Sequence, residues 1–116
     1  MRVSLARALY HEPELLLLDE PFAALDELTR GTLDDLLLRL LRANEMSAVM
    51  VTHSVSEAVY LADEVWVLSA QPGRRLGKFT PKFGARTPDI RATKAFAEAV
   101  GELHLMLAKS VSESAL

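Results

Sequence analysis

The sequence predicts an α/β fold with a largely parallel sheet flanked by helices. Three short apolar runs of strand length occur at residues 15–18, 48–52 and 65–68, and segments with helical spacing separate them. Strands that alternate with crossover helices build parallel sheets. The first run, LLLL, has no polar side chain on either face, which is typical of a strand buried on both sides. We therefore expect residues 15–18 to be covered on both faces.

The composition is that of one globular domain. Of the 116 residues, 50% are hydrophobic and 25% are charged, the net charge is −3, and there is no cysteine. These values exclude a disulfide scaffold and a thiolate metal site. No apolar run reaches the roughly 20 residues that span a bilayer, and no signal-peptide core precedes the first acidic residues. We expect a cytoplasmic protein.

The first half of the chain is predicted as helix, strand, helix, strand. Residues 1–10 carry apolar side chains at helical spacing, and Pro13 ends that helix. The strand at residues 15–18 follows. Leucines recur three and four residues apart over residues 31–43, which predicts an amphipathic helix. The run AVMVT then predicts the strand at residues 48–52.

The second half is predicted to begin with a capped helix. Ser54 and Glu57 have the spacing of a capping box, so a helix is expected over residues 55–62. The remaining elements are a strand at 65–68, a turn at 71–74, a short strand at 76–79 and a last helix at 89–109.

Charge is unevenly distributed along the chain. Residues 12–35 hold eight acidic side chains and one basic one, whereas residues 71–95 hold seven basic side chains and one acidic one. Charge runs usually form a solvated face, and that is the expectation for residues 71–95. An anionic surface or partner is the alternative.

Two acids and one histidine stand where parallel strands end. Asp19 and Glu20 follow the first strand, and His53 follows the second. Ligands bind beyond the carboxyl ends of such strands, so we expect the three side chains to converge there. The carboxylate of Asp19 could bind in the coordination shell of Mg²⁺. The carboxylate of Glu20 could position or deprotonate an attacking water, and His53 could donate a hydrogen bond to a phosphate. The alternative is structural, since strands commonly end in polar residues and a lone histidine is often exposed.

The motifs resemble a known family. The segment LLLLDEP, then ALD, then VTHS…EA…LAD, resembles the ATP-binding subunit of ABC transporters. Residues 15–20 match the Walker B segment, residues 24–26 the D-loop and His53 the switch histidine of the H-loop. Residues 3–9 match the helix that follows the signature sequence. The sequence of residues 51–74 is most similar to the ATP-binding subunits of nitrate, sulfonate and taurine-type importers.

The resemblance implies a role for each site residue. Asp19 would bind Mg²⁺ through water, Glu20 would be the catalytic base, and His53 would contact the γ-phosphate of ATP. Asp26 would act across a dimer of two such subunits, which sandwich the nucleotides between them.

The resemblance also implies the fold and its division. The chain would be the C-terminal part of a P-loop NTPase domain of the ABC type. Residues 1–79 would form the ATPase core, with the post-signature helix, Walker B, D-loop and H-loop. Residues 80–116 would form a branch-specific extension with a helix.

The phosphate-binding loop of that family has no counterpart in these residues. Walker A requires Gly-x4-Gly-Lys-Ser/Thr, whose backbone N–H groups and lysine cradle the phosphates. The segment from Gly73 to Phe79 imitates it, but only three residues separate Gly73 from Gly77, and Phe79 replaces the hydroxyl. The signature loop is missing as well. Because the P-loop strand would lie inside the sheet, we expect the isolated chain to be molten, aggregated or swapped, with weak or no ATP binding.

The expected function is ATP binding and hydrolysis that energises solute import. The chain is expected to be truncated, because it lacks Walker A and the signature motif. Its partners would be membrane permease subunits, a second ATP-binding subunit and, indirectly, a solute-binding protein, at the inner face of the cell membrane. No nucleic-acid partner is expected. Two alternatives stay open: a non-catalytic remnant that binds a partner through leucine-rich surfaces, and an ABC ATPase outside transport.

Overall fold

The computed structural model describes residues 15–68, 74–83 and 86–114, with side chains to residue 110. The predicted helix at residues 1–10, including the post-signature match, lies outside them, as does most of the predicted turn at 71–74. The chain divides into two units, Met1–His53 and Ser54–Leu116. The proposed division into an ATPase core and an extension after residue 79 stays a prediction.

The first unit contains a parallel strand pair joined by a helix. Strands β1 (Leu15–Asp19) and β2 (Ser47–Val51) are paired from Leu15 opposite Ser47 to Asp19 opposite Val51. Helix α1 (Glu27–Ala43) connects them. This is the strand–helix–strand crossover that the sequence predicts, with both strands within one residue of their expected positions.

The expectation that β1 is covered on both faces is wrong. Leu16 is buried, whereas Leu15 and Leu17 are 52% and 72% exposed. Side chains alternate across a strand, so one face of β1 is covered and the other is open. A continuous apolar run shows that both faces of the strand are apolar. Whether each face is buried depends on the element that packs against it.

Helix α1 begins earlier than leucine spacing alone predicts. Its first residue is Glu27 rather than residue 31, because the carboxylate of Asp26 caps it by accepting the backbone N–H of Thr29 at 2.8 Å. The buried face is also rotated from the predicted stripe, since Leu36 is partly exposed. The buried residues of the helix are Leu33, Asp34, Leu37 and Leu38.

The second unit begins with the predicted capped helix. Helix α2 (Val55–Leu61) starts after Ser54, whose hydroxyl accepts the backbone N–H of Glu57 at 3.2 Å. The capping box therefore sets the start of this helix as predicted.

The third strand does not join the parallel sheet. Strand β3 (Val65–Leu68) pairs antiparallel with β4 (Arg75–Phe79), so the described residues form two separate two-stranded sheets. The predicted parallel pairing is confirmed for β1 and β2, whereas in the described residues β3 pairs antiparallel with β4. A parallel pair needs a crossover of a dozen or more residues, whereas the short link between β3 and β4 permits only an antiparallel hairpin.

The open face of this hairpin carries a polar cluster around an aromatic ring. The indole N–H of Trp66 donates to the carboxylate of Glu64, and the guanidinium of Arg75 lies 5.1 Å from the ring centroid. The hydrogen bond from Trp66, together with the charges of Lys78 and Arg75, lowers the pKa of Glu64.

The last predicted helix is divided in two. A 3₁₀ helix (Pro88–Ala92) precedes α3 (Lys94–Ser114). The break falls at Thr93, whose hydroxyl accepts the backbone N–H of Phe96 at 3.2 Å and so caps α3. The buried apolar residues of this unit are Val55, Val59, Tyr60, Val67, Phe96, Ala99 and Leu103.

Two bases of the basic stretch are structural rather than solvated. The side chain of Arg86 is 7% exposed and donates to the carbonyl oxygen of Leu61 at 3.4 Å. The guanidinium of Arg91 lies 3.7 Å from the ring centroid of Tyr60. The expectation of a wholly solvated face at residues 71–95 is therefore wrong for these two positions. None of the helices in the described ranges is long and apolar enough to cross a membrane.

Candidate functional site

The carboxyl edge of the parallel strand pair brings two of the predicted site residues together. Glu20 directly follows β1, and its backbone N–H donates to the carbonyl oxygen of Val51 at 2.7 Å. This bond continues the pairing of β1 and β2 by one residue. His53 follows β2 by two residues, and its Nε2 lies 2.9 Å from Oε1 of Glu20.

The backbone turns sharply at Glu20. Its φ is +44°, in the left-handed region that non-glycine residues adopt at a cost of roughly 1–2 kcal/mol. Its carbonyl oxygen accepts the N–H of Ala23 at 3.3 Å, which holds the turn that follows. Strained backbone at such a position is a pointer to function, because the surrounding structure has to maintain it.

The pair formed by Glu20 and His53 is open to solvent. The side chain of His53 is 91% exposed and that of Glu20 is 34% exposed. An ion pair at this exposure contributes at most about 1 kcal/mol, so a ligand can separate the two side chains at little cost.

Asp19 directly precedes Glu20 at the end of β1. It is the last residue of β1, its side chain is exposed, and it occupies the register position opposite Val51. By the alternation of the strand it shares a face with Leu15 and Leu17.

Asp26 has a structural role that the motif did not predict. Its two carboxylate oxygens accept the backbone N–H and the hydroxyl of Thr29, at 2.8 and 2.9 Å. The hydrogen bonds from Thr29 lower the pKa of Asp26. The same carboxylate thus begins α1 and stands at the position that matches the family's D-loop.

Arg30 holds the loop between the acids and α1, a role that no motif in the sequence indicates. Its Nη2 donates to the carbonyl oxygen of Leu25 at 3.2 Å and its Nε to that of Phe22 at 3.4 Å. Phe22 is fully buried and anchors the other end of the loop. The available sequence signal was the position of Arg30 as the single base within an acidic stretch.

The oxygen donors at this edge fit magnesium bound with a phosphate. Among the residues described, no three His, Asp or Glu side chains are grouped to hold a metal ion. Mg²⁺ commonly takes one or two carboxylates and fills its other positions with water and substrate phosphates. Asp19 is an exposed carboxylate of this kind.

Curated proteins of known role are similar to the chain over most of its length. It is 53% identical over 73 residues to the aliphatic sulfonates import ATP-binding protein of Bacillus licheniformis, which is 63% of this chain and 29% of the relative. It is 47% identical over 108 residues to the taurine import ATP-binding protein of Mesorhizobium japonicum, which is 88% of this chain and 42% of the relative. It is 53% identical over 76 residues to the bicarbonate transport ATP-binding protein of Synechococcus elongatus, which is 66% of this chain and 12% of the relative.

These comparisons confirm the resemblance to ATP-binding subunits of ABC importers. The relatives include the sulfonate and taurine types that the sequence predicts and add the bicarbonate type. The chain spans less than half the length of the curated relatives it matches. No protein-family model matches the chain.

Proposed function

We propose that this chain supplies the C-terminal part of the ATP-binding subunit of an ABC importer and that this subunit hydrolyses ATP to energise solute uptake. The observation that carries the proposal is the pairing of Glu20 with His53 at the carboxyl edge of two parallel strands. Similarity to import ATP-binding proteins supports it.

In this proposal Glu20 is the general base. Its carboxylate leaves His53 when nucleotide binds and accepts a proton from the attacking water. The left-handed backbone at Glu20 accompanies the contact of its carboxylate with His53 at the carboxyl edge of the strand pair, where the nucleotide would lie.

His53 and Asp19 act on the phosphate side of the reaction. The imidazole of His53 donates a hydrogen bond to the γ-phosphate as negative charge develops on it. The carboxylate of Asp19 would hold Mg²⁺ through water. When bound there, the ion would supply positive charge that offsets the negative charge of the phosphates.

The remaining parts of the site come from outside these residues. The 116 residues contain no Walker A sequence, so we propose that the phosphate cradle belongs to polypeptide beyond them. We further propose that Asp26 acts across a dimer of ATP-binding subunits. The subunit would work with membrane permease components at the inner face of the membrane, and indirectly with a solute-binding protein.

The decisive experiment is Glu20→Gln in the protein as its source cell makes it, assembled with its partners. We expect ATP hydrolysis to fall by about 10²- to 10⁴-fold while nucleotide binding persists, because the change removes the base and leaves the size of the side chain. Glu27→Gln is the matched control, since Glu27 is an exposed acid in the first turn of α1.

Unchanged hydrolysis in Glu20→Gln, with Glu27→Gln also unchanged, contradicts the proposal. A biological role that persists under the same substitution would instead favour a non-catalytic remnant that acts through its leucine-rich surface.

A further inference from the structure

The loop that joins Glu20 to Asp26 is built from two successive turns. The carbonyl oxygen of Glu20 accepts the backbone N–H of Ala23 at 3.3 Å, and that of Phe22 accepts the backbone N–H of Leu25 at 3.1 Å. Each bond joins residues three apart, as in a β-turn. The loop therefore carries the proposed base at one end and the cap of α1 at the other.

The strained conformation at Glu20 needs support from both sides. Its φ of +44° persists in a non-glycine residue only where the surrounding structure maintains it. On the strand side, the backbone N–H of Glu20 is held by the carbonyl oxygen of Val51 at 2.7 Å. On the loop side, the bond from Ala23 is longer, at 3.3 Å. The conformation of Glu20 consequently depends on what fixes the rest of the loop.

The side chain of Arg30 fixes the loop from α1. Its Nη2 donates to the carbonyl oxygen of Leu25 at 3.2 Å, and its Nε donates to that of Phe22 at 3.4 Å. Phe22 is buried, so this part of the loop is anchored in the core as well. The guanidinium is planar and carries its donors in a rigid fork, so it can hold two acceptors in one relative geometry.

The position of Arg30 favours this role over that of an ordinary surface base. Arg30 is the fourth residue of α1, in the first turn, where the helix dipole disfavours a cation. Glu27 lies three residues earlier, a spacing at which an acid and a base can pair on a helix. The guanidinium nevertheless reaches back to two main-chain oxygens of the loop. Hydrogen bonds from a charged donor are strong, and they offset the unfavourable position in the helix.

We propose that Arg30 is a positioning residue for ATP hydrolysis, because it holds the loop that follows Glu20 and so keeps the carboxylate of Glu20 in place for the attacking water. This inference rests on the proposed function and adds a residue to the same site. Arg30 acts through the carbonyl oxygens of Phe22 and Leu25. It takes no part in proton transfer, since an arginine side chain stays protonated in proteins.

Loss of this support is expected to slow the chemical step more than it weakens binding of the nucleotide. Misplacement of a reacting group by about 1 Å can lower the rate by about 10²-fold. Binding of ATP in the ground state does not depend on the alignment of the base. A change at Arg30 should therefore lower kcat and leave KM for ATP nearly unchanged.

The test is Arg30→Met in the protein as its source cell makes it, assembled with its partners. Methionine keeps an unbranched apolar side chain and removes the donors. We expect kcat for each nucleotide-binding site to fall by about 10- to 100-fold, with KM for ATP changed by less than about twofold. Arg39→Met is the matched control, because Arg39 is exposed on the same helix, and its kcat should equal that of the wild type.

Arg30→Lys separates the geometry of the side chain from its charge. Lysine keeps the positive charge but is a point donor without the fixed fork, so it cannot hold both carbonyl oxygens as arginine does. We expect kcat of Arg30→Lys to stay close to that of Arg30→Met. Full recovery of kcat in Arg30→Lys would show that charge alone matters and would overturn the positioning role.

Amide hydrogen exchange reports on the loop directly. The amides of Ala23 and Leu25 should exchange faster in Arg30→Met than in the wild type, because the turns that they close lose their support. The amide of Leu37, which is buried in α1, should exchange at the wild-type rate. Equal acceleration at all three amides would show a general loss of stability and would contradict a local positioning role.

The positioning proposal and the proposed function fail separately. Loss of hydrolysis in Glu20→Gln, together with wild-type kcat in Arg30→Met, would remove Arg30 from the mechanism and leave Glu20 as the base. Unchanged hydrolysis in Glu20→Gln, together with lowered kcat and faster loop exchange in Arg30→Met, would remove Glu20 as the base and leave Arg30 as the residue that positions the loop.

Discussion

At the scale of single residues, the candidate site depends on the contact between Glu20 and His53, which the pair of acids at residues 19 and 20 does not specify by itself. The sequence predicts that Glu20 and His53 lie at the same edge, because each follows a strand and the strands are parallel. It does not predict the left-handed φ of Glu20, since glutamate rarely adopts that conformation. The roles of Arg30 and Asp26 were also beyond prediction, because they depend on loop carbonyls and on the start of a helix.

Replacement of His53 tests the phosphate side of the site. In the proposed function His53 donates to the transferring phosphate, so His53→Ala is expected to lower hydrolysis by the assembled protein by about 10²- to 10³-fold. His104→Ala is the control, since His104 is exposed on α3. Equal activity of the two variants would rule out a catalytic contact by His53.

At the scale of elements, capping residues determined the boundaries better than apolar periodicity did. The capping box at Ser54 predicts the start of α2, whereas leucine spacing predicts a start of α1 at residue 31, later than the start at Glu27 that the Asp26 cap sets. Thr93 likewise divides the last helix at a point where the apolar stripe continues.

The cap at Asp26 makes the start of α1 sensitive to pH. The folded-state pKa of Asp26 is lowered, so the stabilisation is fully present above its ordinary value of about 3.9 and is lost as the pH falls through the lower value. We expect hydrogen exchange at the amide of Thr29 to accelerate in that acidic range, beyond its intrinsic pH dependence.

The control for this prediction is Asp26→Asn, which keeps an oxygen at the cap and removes the titration. Its Thr29 exchange should follow the intrinsic pH dependence alone, while Asp26→Ala should be unprotected at every pH. A wild-type profile identical to that of Asp26→Asn would contradict the cap as the cause.

A side chain at Gly77 would displace the flexible end of Met106, where β4 packs against α3. A Cβ at this position would lie 2.8 Å from Cε of Met106. We expect Gly77→Ala to lower the free energy of unfolding by about 1 kcal/mol, because the end of Met106 has to move.

A double-mutant cycle measures this contact. In a Met106→Ala background, Gly77→Ala should be neutral or stabilising, which gives a coupling of about 1 kcal/mol between the two positions by urea denaturation. The same loss of stability in both backgrounds would show that the two residues do not interact.

At the scale of the whole molecule, the sequence predicted the elements more reliably than their assembly. Each described strand lies at its expected place, but the pattern of neither strand specifies the antiparallel pairing of β3 with β4. Strand existence is a local property of five residues. Sheet membership depends on which other strand is available as a neighbour, and the local pattern does not contain that information.

The exposed apolar side chains of Leu15, Leu17, Val49 and Val51 lead to a prediction for the 116 residues expressed alone. We expect concentration-dependent association and binding of a hydrophobic dye, because exposed apolar patches of this kind promote aggregation. Leu17→Lys should reduce both, as measured by light scattering and dye emission, and Arg39→Glu should not. A monodisperse monomer with a sharp thermal transition would contradict this expectation.

The fluorescence of the single tryptophan reports on the second unit only, because Trp66 lies in that unit. Trp66 belongs to the β3–β4 hairpin, where a carboxylate binds its N–H and a guanidinium stacks on its ring. Its emission spectrum will therefore register disruption of the hairpin, while the strand pair that bears Glu20 and His53 contributes no indole signal. Unfolding curves from fluorescence and from far-ultraviolet circular dichroism will coincide if the two units melt together and separate if they melt independently.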